Sequence, residues 1–194
     1  VYLYAYPTID GQVSQTPVIS SLKDVATPFS LDFLSSDSRL FVTNPHKESP
    51  GAVMVDVSPS LEATEAKIVT IPHQGASCWA AYASEYDTLF VMDAFNPTIT
   101  TVNPTLGQSV AQFNFTTPSF GLADTLVDRD FLYTHTLPFN SNATMFLASP
   151  QVLVYDITPV KKGQNPRQIQ SFDLFKAVGS FPNLYGLAIY LSSR

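Results

Sequence analysis

The chain repeats itself at the level of whole strand sets. The segment Arg39-Leu40-Phe41-Val42-Thr43-Asn44 returns as Thr88-Leu89-Phe90-Val91-Met92-Asp93, and again as Phe131-Leu132-Tyr133-Thr134-His135. Leu40, Leu89 and Leu132 lie 49 and 43 residues apart. A second kind of segment precedes each copy: Pro28–Phe33, Ala76–Ala81 and Phe120–Ala123, with a last appearance at Tyr185–Tyr190. A third kind follows: Ala52–Val57, Ile99–Val102 and Val152–Ile157, with Tyr2–Tyr6 as an opening member. A fourth closes each unit: Thr16–Ile19, Ala66–Val69, Ser109–Phe113 and Gln168–Phe172. All are rich in Val, Ile, Phe, Tyr and Thr and are bounded by turn residues, which reads as β-strand. Helical periodicity is almost absent.

Lettered a, b, c and d, the strands run c–d, then three complete a–b–c–d units, then a final a. A four-strand unit of about 45 residues is the signature of a β-propeller blade. Strand b is apolar without alternation (Leu40-Phe41-Val42, Leu89-Phe90-Val91), so both of its faces seek burial. Stacked blades satisfy that demand, whereas an antiparallel sheet with one wet face alternates. The competing β-sandwich or barrel does not explain a period shared by all four strand kinds. The expected fold is therefore all-β, a propeller of four-stranded antiparallel blades, with about three and a half blades in this chain. The expected boundaries are 1–25 for the opening c–d pair, 26–72, 73–118 and 119–182 for the blades, and 183–194 for the last strand a. The opening c–d pair and the last a would make a fourth blade lacking b, with unpaired backbone on both sides of the gap. The expected partner is therefore a missing N-terminal half of the same propeller, removed by cleavage or truncation. A chain that begins with Val1 fits that expectation.

Composition narrows the function classes. Only 13% of residues are charged, the net charge is -6, and the cations are scattered. No basic stripe is available to neutralise phosphates, so nucleic acid is not an expected partner. No apolar run reaches the roughly 20 residues of a membrane span. Two glycosylation sequons, at Asn114 and Asn142, point to a secreted protein. Cys78 is the single cysteine, expected to be a small buried hydrophobe in an inner strand, or paired with a segment outside this sequence.

The phrase Tyr4-Ala5-Tyr6-Pro7-Thr8-Ile9-Asp10-Gly11-Gln12-Val13 resembles a c–d hairpin of lactonase-type seven-bladed propellers. Gln74-Gly75-Ala76-Ser77-Cys78-Trp79-Ala80, Leu89–Asp93 and Gly186-Leu187-Ala188 resemble the fungal secreted, carboxymuconate cyclase-like branch. The resemblance covers essentially the whole chain as a C-terminal half. It implies seven blades in the complete protein, secretion and glycosylation. It implies activity more weakly, because one fold hosts many functions.

In a propeller the d–a and b–c loops gather on one face around the central axis, where ligands bind. All three histidines fall on or beside that face, and His73, just before Gln74-Gly75-Ala76-Ser77-Cys78-Trp79, is the candidate acid or base. His46, Gln74, Asp93, Asn96 and His135 are the candidate binding residues. Asp93 and Asn96 with Asn44 form no dense oxygen cage, so no metal or other cofactor is expected. An enzyme that makes or opens lactones needs cationic forks for carboxylates. Arg39 and Arg129 fall in a–b turns on the opposite face, Arg167 on the rim and Arg194 at the end. The expectation is thus a secreted binding or cell-surface propeller with lost or weak catalysis and a small-molecule or glycan ligand. The alternatives are a lactonase or carboxymuconate cyclase-type enzyme, and a carbohydrate binder using Trp79, Tyr82 and Phe95.

Overall fold

A computed structural model of the chain describes residues 1–34, 38–46, 48, 51–115, 120–139 and 149–179. It opens with β1 (Tyr2–Ala5), a small hairpin of β2 (Thr8–Ile9) and β3 (Gln12–Val13), and β4 (Val18–Ser21), which returns to pair with β1. The hairpin thus interrupts a c–d pair rather than forming one, because Asp10 and Gly11 adopt positive φ and turn the chain back early.

Three four-stranded antiparallel sheets follow, each in sequence order. The first blade is β5 (Leu31–Phe33), β6 (Arg39–Asn44), β7 (Gly51–Val57) and β8 (Ala63–Thr70). The second is β9 (Ser77–Ala83), β10 (Thr88–Asp93), β11 (Thr98–Asn103) and β12 (Gln108–Asn114). The third is β13 (Phe120–Asp128), β14 (Phe131–Phe139), β15 (Gln151–Asp156) and β16 (Arg167–Asp173). The expected propeller blades are present, and β6 and β10 span the same residues as the repeat. The final strand a at 185–190 lies outside the described residues.

Burial explains the repeat. Every residue of β6 and β10 after the first is buried, while the outer strand β12 alternates between exposed and covered positions. Phe41, Met54 and Val69 of the first blade interlock with Leu89, Val91 and Val102 of the second. Phe90, Met92 and Ile99 on the second blade's other face meet Leu122, Leu132 and Tyr155 of the third. Burying one such Phe contributes about 1.5–3 kcal/mol, and each blade supplies one interlocking set per interface. Gly121 (φ +71°) lets the third blade approach: a Cβ there would lie 1.8 Å from the carbonyl oxygen of Ala94.

The outer strands share one device. In each of the three four-stranded blades the c–d pairing slips by one residue at the same place, between Met54 and Val55, Thr101 and Val102, and Val154 and Tyr155. The residue set aside is Ala66, Val110 or Ile169 on the outer strand. A bulge there twists the outer edge and blunts its capacity to pair with another chain.

One element was not expected. The helix α1 (Leu174–Val178) follows β16, with Asp173 accepting from the Lys176 N–H at 3.0 Å and Gly179 ending it at φ 72°. It is too short for a periodic pattern to announce it. Among the described residues no helix is long and apolar enough to cross a membrane.

Candidate functional site

The loops that join d to a and b to c form an open groove between the first two blades. It measures about 670 Å³ and is lined by Thr27, Phe29, Pro45, His46, Gly75, Ala76, Cys78 and Phe95. Its walls are set by a clamp that each of the first two blades repeats. Asn44, at the end of β6, accepts from the Thr27 N–H at 3.0 Å and donates to the Asp24 carbonyl at 3.1 Å. Asp93, at the end of β10, accepts from the N–H groups of Gly75 (2.6 Å), Ala76 (2.9 Å), Phe95 (2.8 Å) and Asn96 (3.1 Å). Asn96 adds a side-chain bond to Asp93 at 3.2 Å. In both blades the last b-strand side chain folds back and fixes the loop entering strand a. Gly75 sits beneath Phe95 because a Cβ would come within 2.8 Å of the Phe95 Cβ and 2.6 Å of Asn96 Nδ2.

The candidate binding residues therefore divide. Asp93 is buried and its oxygens are occupied by backbone donors, which makes it a positioning residue rather than a ligand contact. Asn96 is held against it. Gln74 links the blades, donating to the His46 carbonyl at 3.5 Å and accepting from the Ser77 N–H at 3.3 Å. His46 stands exposed at the groove, with Nδ1 accepting from the Glu48 N–H at 3.4 Å. His73 is exposed, with φ 54°, but opens into a different cleft of about 380 Å³ with Asn96, Thr98, Gln112 and Asn114. That cleft lies against the outer strand β12.

His135 lies in strand b, as the repeat indicated, but does not reach the loop face. It lies inside β14, which runs on to Phe139, and is wholly buried. Burial holds its imidazole below the ordinary range, opposed by the Thr136 carbonyl, 3.4 Å from Nδ1, and by the nearby Asp124 carboxylate. Cys78 is also buried, and burial together with the Asp93 charge pushes its thiol up to about 12, which leaves it a protonated core residue. Trp79 packs edge-on against Phe29, with centroids 4.8 Å apart, whereas the Tyr82 hydroxyl donates to Asp87 at the other end of its blade. Trp79, Tyr82 and Phe95 thus share no single stacking surface. Asn114 is exposed on β12 and accepts from the Thr98 hydroxyl at 2.8 Å; Asn142 lies outside the described residues.

One residue that the repeat did not single out is Asp32, the middle residue of β5. Burial pushes its carboxyl up to about 6, against the backbone N–H groups of Tyr82 and Phe33 that donate to it. A lone acid inside the apolar run Phe29–Phe33 was the available signal. The described arginines are engaged locally: Arg39 with Asp56 at 2.6 Å, Arg129 with Asp128 at 3.3 Å, Arg167 with Asp156 at 2.9 Å. Among the described residues no three His, Cys, Asp or Glu side chains converge as a metal site.

Solved structures share the fold that this architecture defines, a β-propeller, lactonases and WD40 proteins among them. The periplasmic gluconolactonase of Pseudomonas aeruginosa superposes with a TM-score of 0.61 at 17% identity, over 88% of this chain and 48% of that one. A Bacteroides uniformis protein named as a 6-phosphogluconolactonase gives 0.63 at 13%, over 87% and 50%. The WD40 repeats of RRP9 give 0.53 at 12%, over 74% and 38%. At such identities the likeness is one of fold alone. The chain spans half or less of the length of these three structures. No protein-family model and no curated protein sequence matches it.

Proposed function

We propose that this chain is the C-terminal part of a secreted, glycosylated, seven-bladed propeller of the lactonase type that binds a small molecule on its b–c and d–a face with little or no turnover. The observation that carries the reading is the dispersal of the histidines around a formed groove. His46 stands at the groove, His73 in a separate cleft and His135 in the core, so no pair of them is assembled for proton transfer. The missing partner in this reading is the N-terminal half of the same ring. Two apolar faces support it: Tyr2, Tyr4 and Ile19 on the opening sheet, and Leu31 and Phe33 beside it, all about half exposed or more. The sequon at Asn114, exposed on an outer strand, supports glycosylation and secretion, and mass loss on glycosidase treatment of natural material tests both.

A catalytic reading rests on one observation, the Asp32 carboxyl on an inner strand, poised to exchange a proton near pH 6. In that reading the protein is a lactonase or a carboxymuconate cyclase-type enzyme. The experiment that separates the two is turnover of gluconolactone and muconolactone by the intact protein and by its His46→Ala, His73→Ala and Asp32→Asn variants. The binding reading expects hydrolysis within a few-fold of the buffer rate and no response to any substitution. Turnover well above buffer that one of these variants abolishes establishes the enzyme instead.

A further inference from the structure

We propose that β1 takes one further antiparallel strand on the edge opposite β4, supplied by the N-terminal part of the same protein, with Tyr2 and Tyr4 standing as Gly51 and Val53 stand in the first blade. This rests on the reading above that the chain is the C-terminal part of a longer propeller, and it names the residues that receive the rest.

Hydrogen-bond parity identifies the edge. The Val1 nitrogen donates to the Leu22 carbonyl and the Leu22 N–H to the Val1 carbonyl, both at 2.9 Å. In an antiparallel pair such doubly bonded partners recur at every second residue. Leu3 and Ala5, opposite Ser20 and Val18, therefore turn their N–H and C=O groups to β4. Tyr2 and Tyr4 turn theirs the other way, where no strand lies among the described residues. An edge with donors and acceptors repeating at strand spacing is a template for another strand.

The first blade gives the register. Leu22 joins the cluster of Leu40 and Val42 as Ile71 joins that of Leu89 and Val91, so Ser20 holds the place of Val69. Ser20 pairs with Leu3 and Val69 with Ala52, so Leu3 corresponds to Ala52. Tyr2 and Tyr4 then correspond to Gly51 and Val53, whose partners on strand b are Asn44 and Val42. Parity agrees: the Thr43 N–H donates to the Ser30 carbonyl, away from β7, which leaves Val42 and Asn44 to face β7.

The stacking of the opening sheet on the first blade is half built. Leu3 and Leu22 cover Leu40, Val42 and Val53, yet Leu31 and Phe33 on β5 remain 48% and 60% exposed. Leu31 and Phe33 lie opposite Val42 and Leu40, as Ala80 and Tyr82 of the second blade lie opposite Val91 and Leu89. Ala80 and Tyr82 are packed against the cluster that holds Phe41 of the preceding strand b. Each complete blade has an aromatic residue at that b position, Phe41, Phe90 or Tyr133. Beside β1 an apolar groove of about 140 Å³, lined in part by Leu3, Leu31 and Val42, is of the size that admits a benzene ring. The incoming strand is thus the strand b of the opening blade, apolar on both faces, with an aromatic side chain over Leu31 and Phe33. It continues an interface that the second and third blades already show complete.

The test is amide hydrogen exchange on the intact natural protein, resolved residue by residue. The Tyr2 and Tyr4 N–H groups are expected to exchange about a thousandfold or more slower than in a free peptide, as slowly as those of Leu3 and Ala5. Fast exchange at Tyr2 and Tyr4 beside slow exchange at Leu3 and Ala5 leaves the edge open and overturns the proposal. The occupant is read by placing photoreactive benzoylphenylalanine at the exposed position of Phe33 and sequencing the joined peptides by mass spectrometry. A peptide from ahead of Val1 in the same protein is expected. A peptide from residues 183–194, from a second copy or from another protein, or no joined peptide at all, overturns the proposal. Intact mass separates that failure from a failure of the reading beneath it. A natural protein with no residues beyond these 194 ends that reading, whereas a longer protein with freely exchanging Tyr2 and Tyr4 ends this proposal alone.

Discussion

Replacing Asp32 with Asn removes a titration that the folded chain resists. In an unfolded chain this carboxyl ionises near 3.8, and in the folded protein burial holds it protonated up to about 6. Below pH 3.8 both states carry the proton and the stability is intact. Between 3.8 and 6 the unfolded chain releases a proton that the native state retains, so stability falls as pH rises. Above 6 both are ionised and the loss is complete. About two pH units correspond to roughly 3 kcal/mol, and partial exposure of Asp32 brings the expected effect to about 1–2 kcal/mol. The Asn amide oxygen keeps an acceptor for the Tyr82 and Phe33 N–H groups, so the substitution isolates the charge. Thermal unfolding at pH 4 and pH 8 is the assay. Asp32→Asn is expected to match the parent at pH 4 and to melt roughly 2–8 °C higher at pH 8. An offset of the same size at both pH values, or a variant less stable at pH 8, refutes the argument that burial of this carboxyl governs the effect.

Two further outcomes follow from the packing. Asp93→Ala deprives the N–H groups of Gly75, Ala76, Phe95 and Asn96 of their acceptor and is expected to cost about 3 kcal/mol or more in denaturant unfolding, with Asp93→Asn intermediate. Gly121→Ala places a methyl group on the Ala94 carbonyl oxygen and asks a non-glycine residue to hold φ +71°, so it is expected to lower the melting temperature by 10 °C or more, roughly 3 kcal/mol; a melt within 2 °C of the parent refutes that close approach.

Much of the blade grammar was legible in the chain itself. Leu40-Phe41-Val42 and Leu89-Phe90-Val91 lack alternation because blades cover both of their faces, and that alone separates stacked blades from a sheet with a wet side. The c–d bulges were not legible, since Ala66, Val110 and Ile169 have nothing in common but their place opposite a slipped register. The hairpin in Tyr4–Val13 was legible as a hairpin but not as an insertion within the c–d pair, since β1 finds its partner β4 only beyond it.

For the site, residue type indicated the face but not the roles. His46 reached the groove, while His73 turned to an outer cleft and His135 became core. Asp93 reads as a ligand until the four N–H groups that surround it are seen. The order of the strands, their apolar runs and the blade period belong to the sequence alone, because they follow from side-chain type and spacing. Which carboxylate is consumed and which is desolvated belong to the tertiary structure. Those properties depend on how closely a neighbouring strand approaches, a distance that no local pattern encodes.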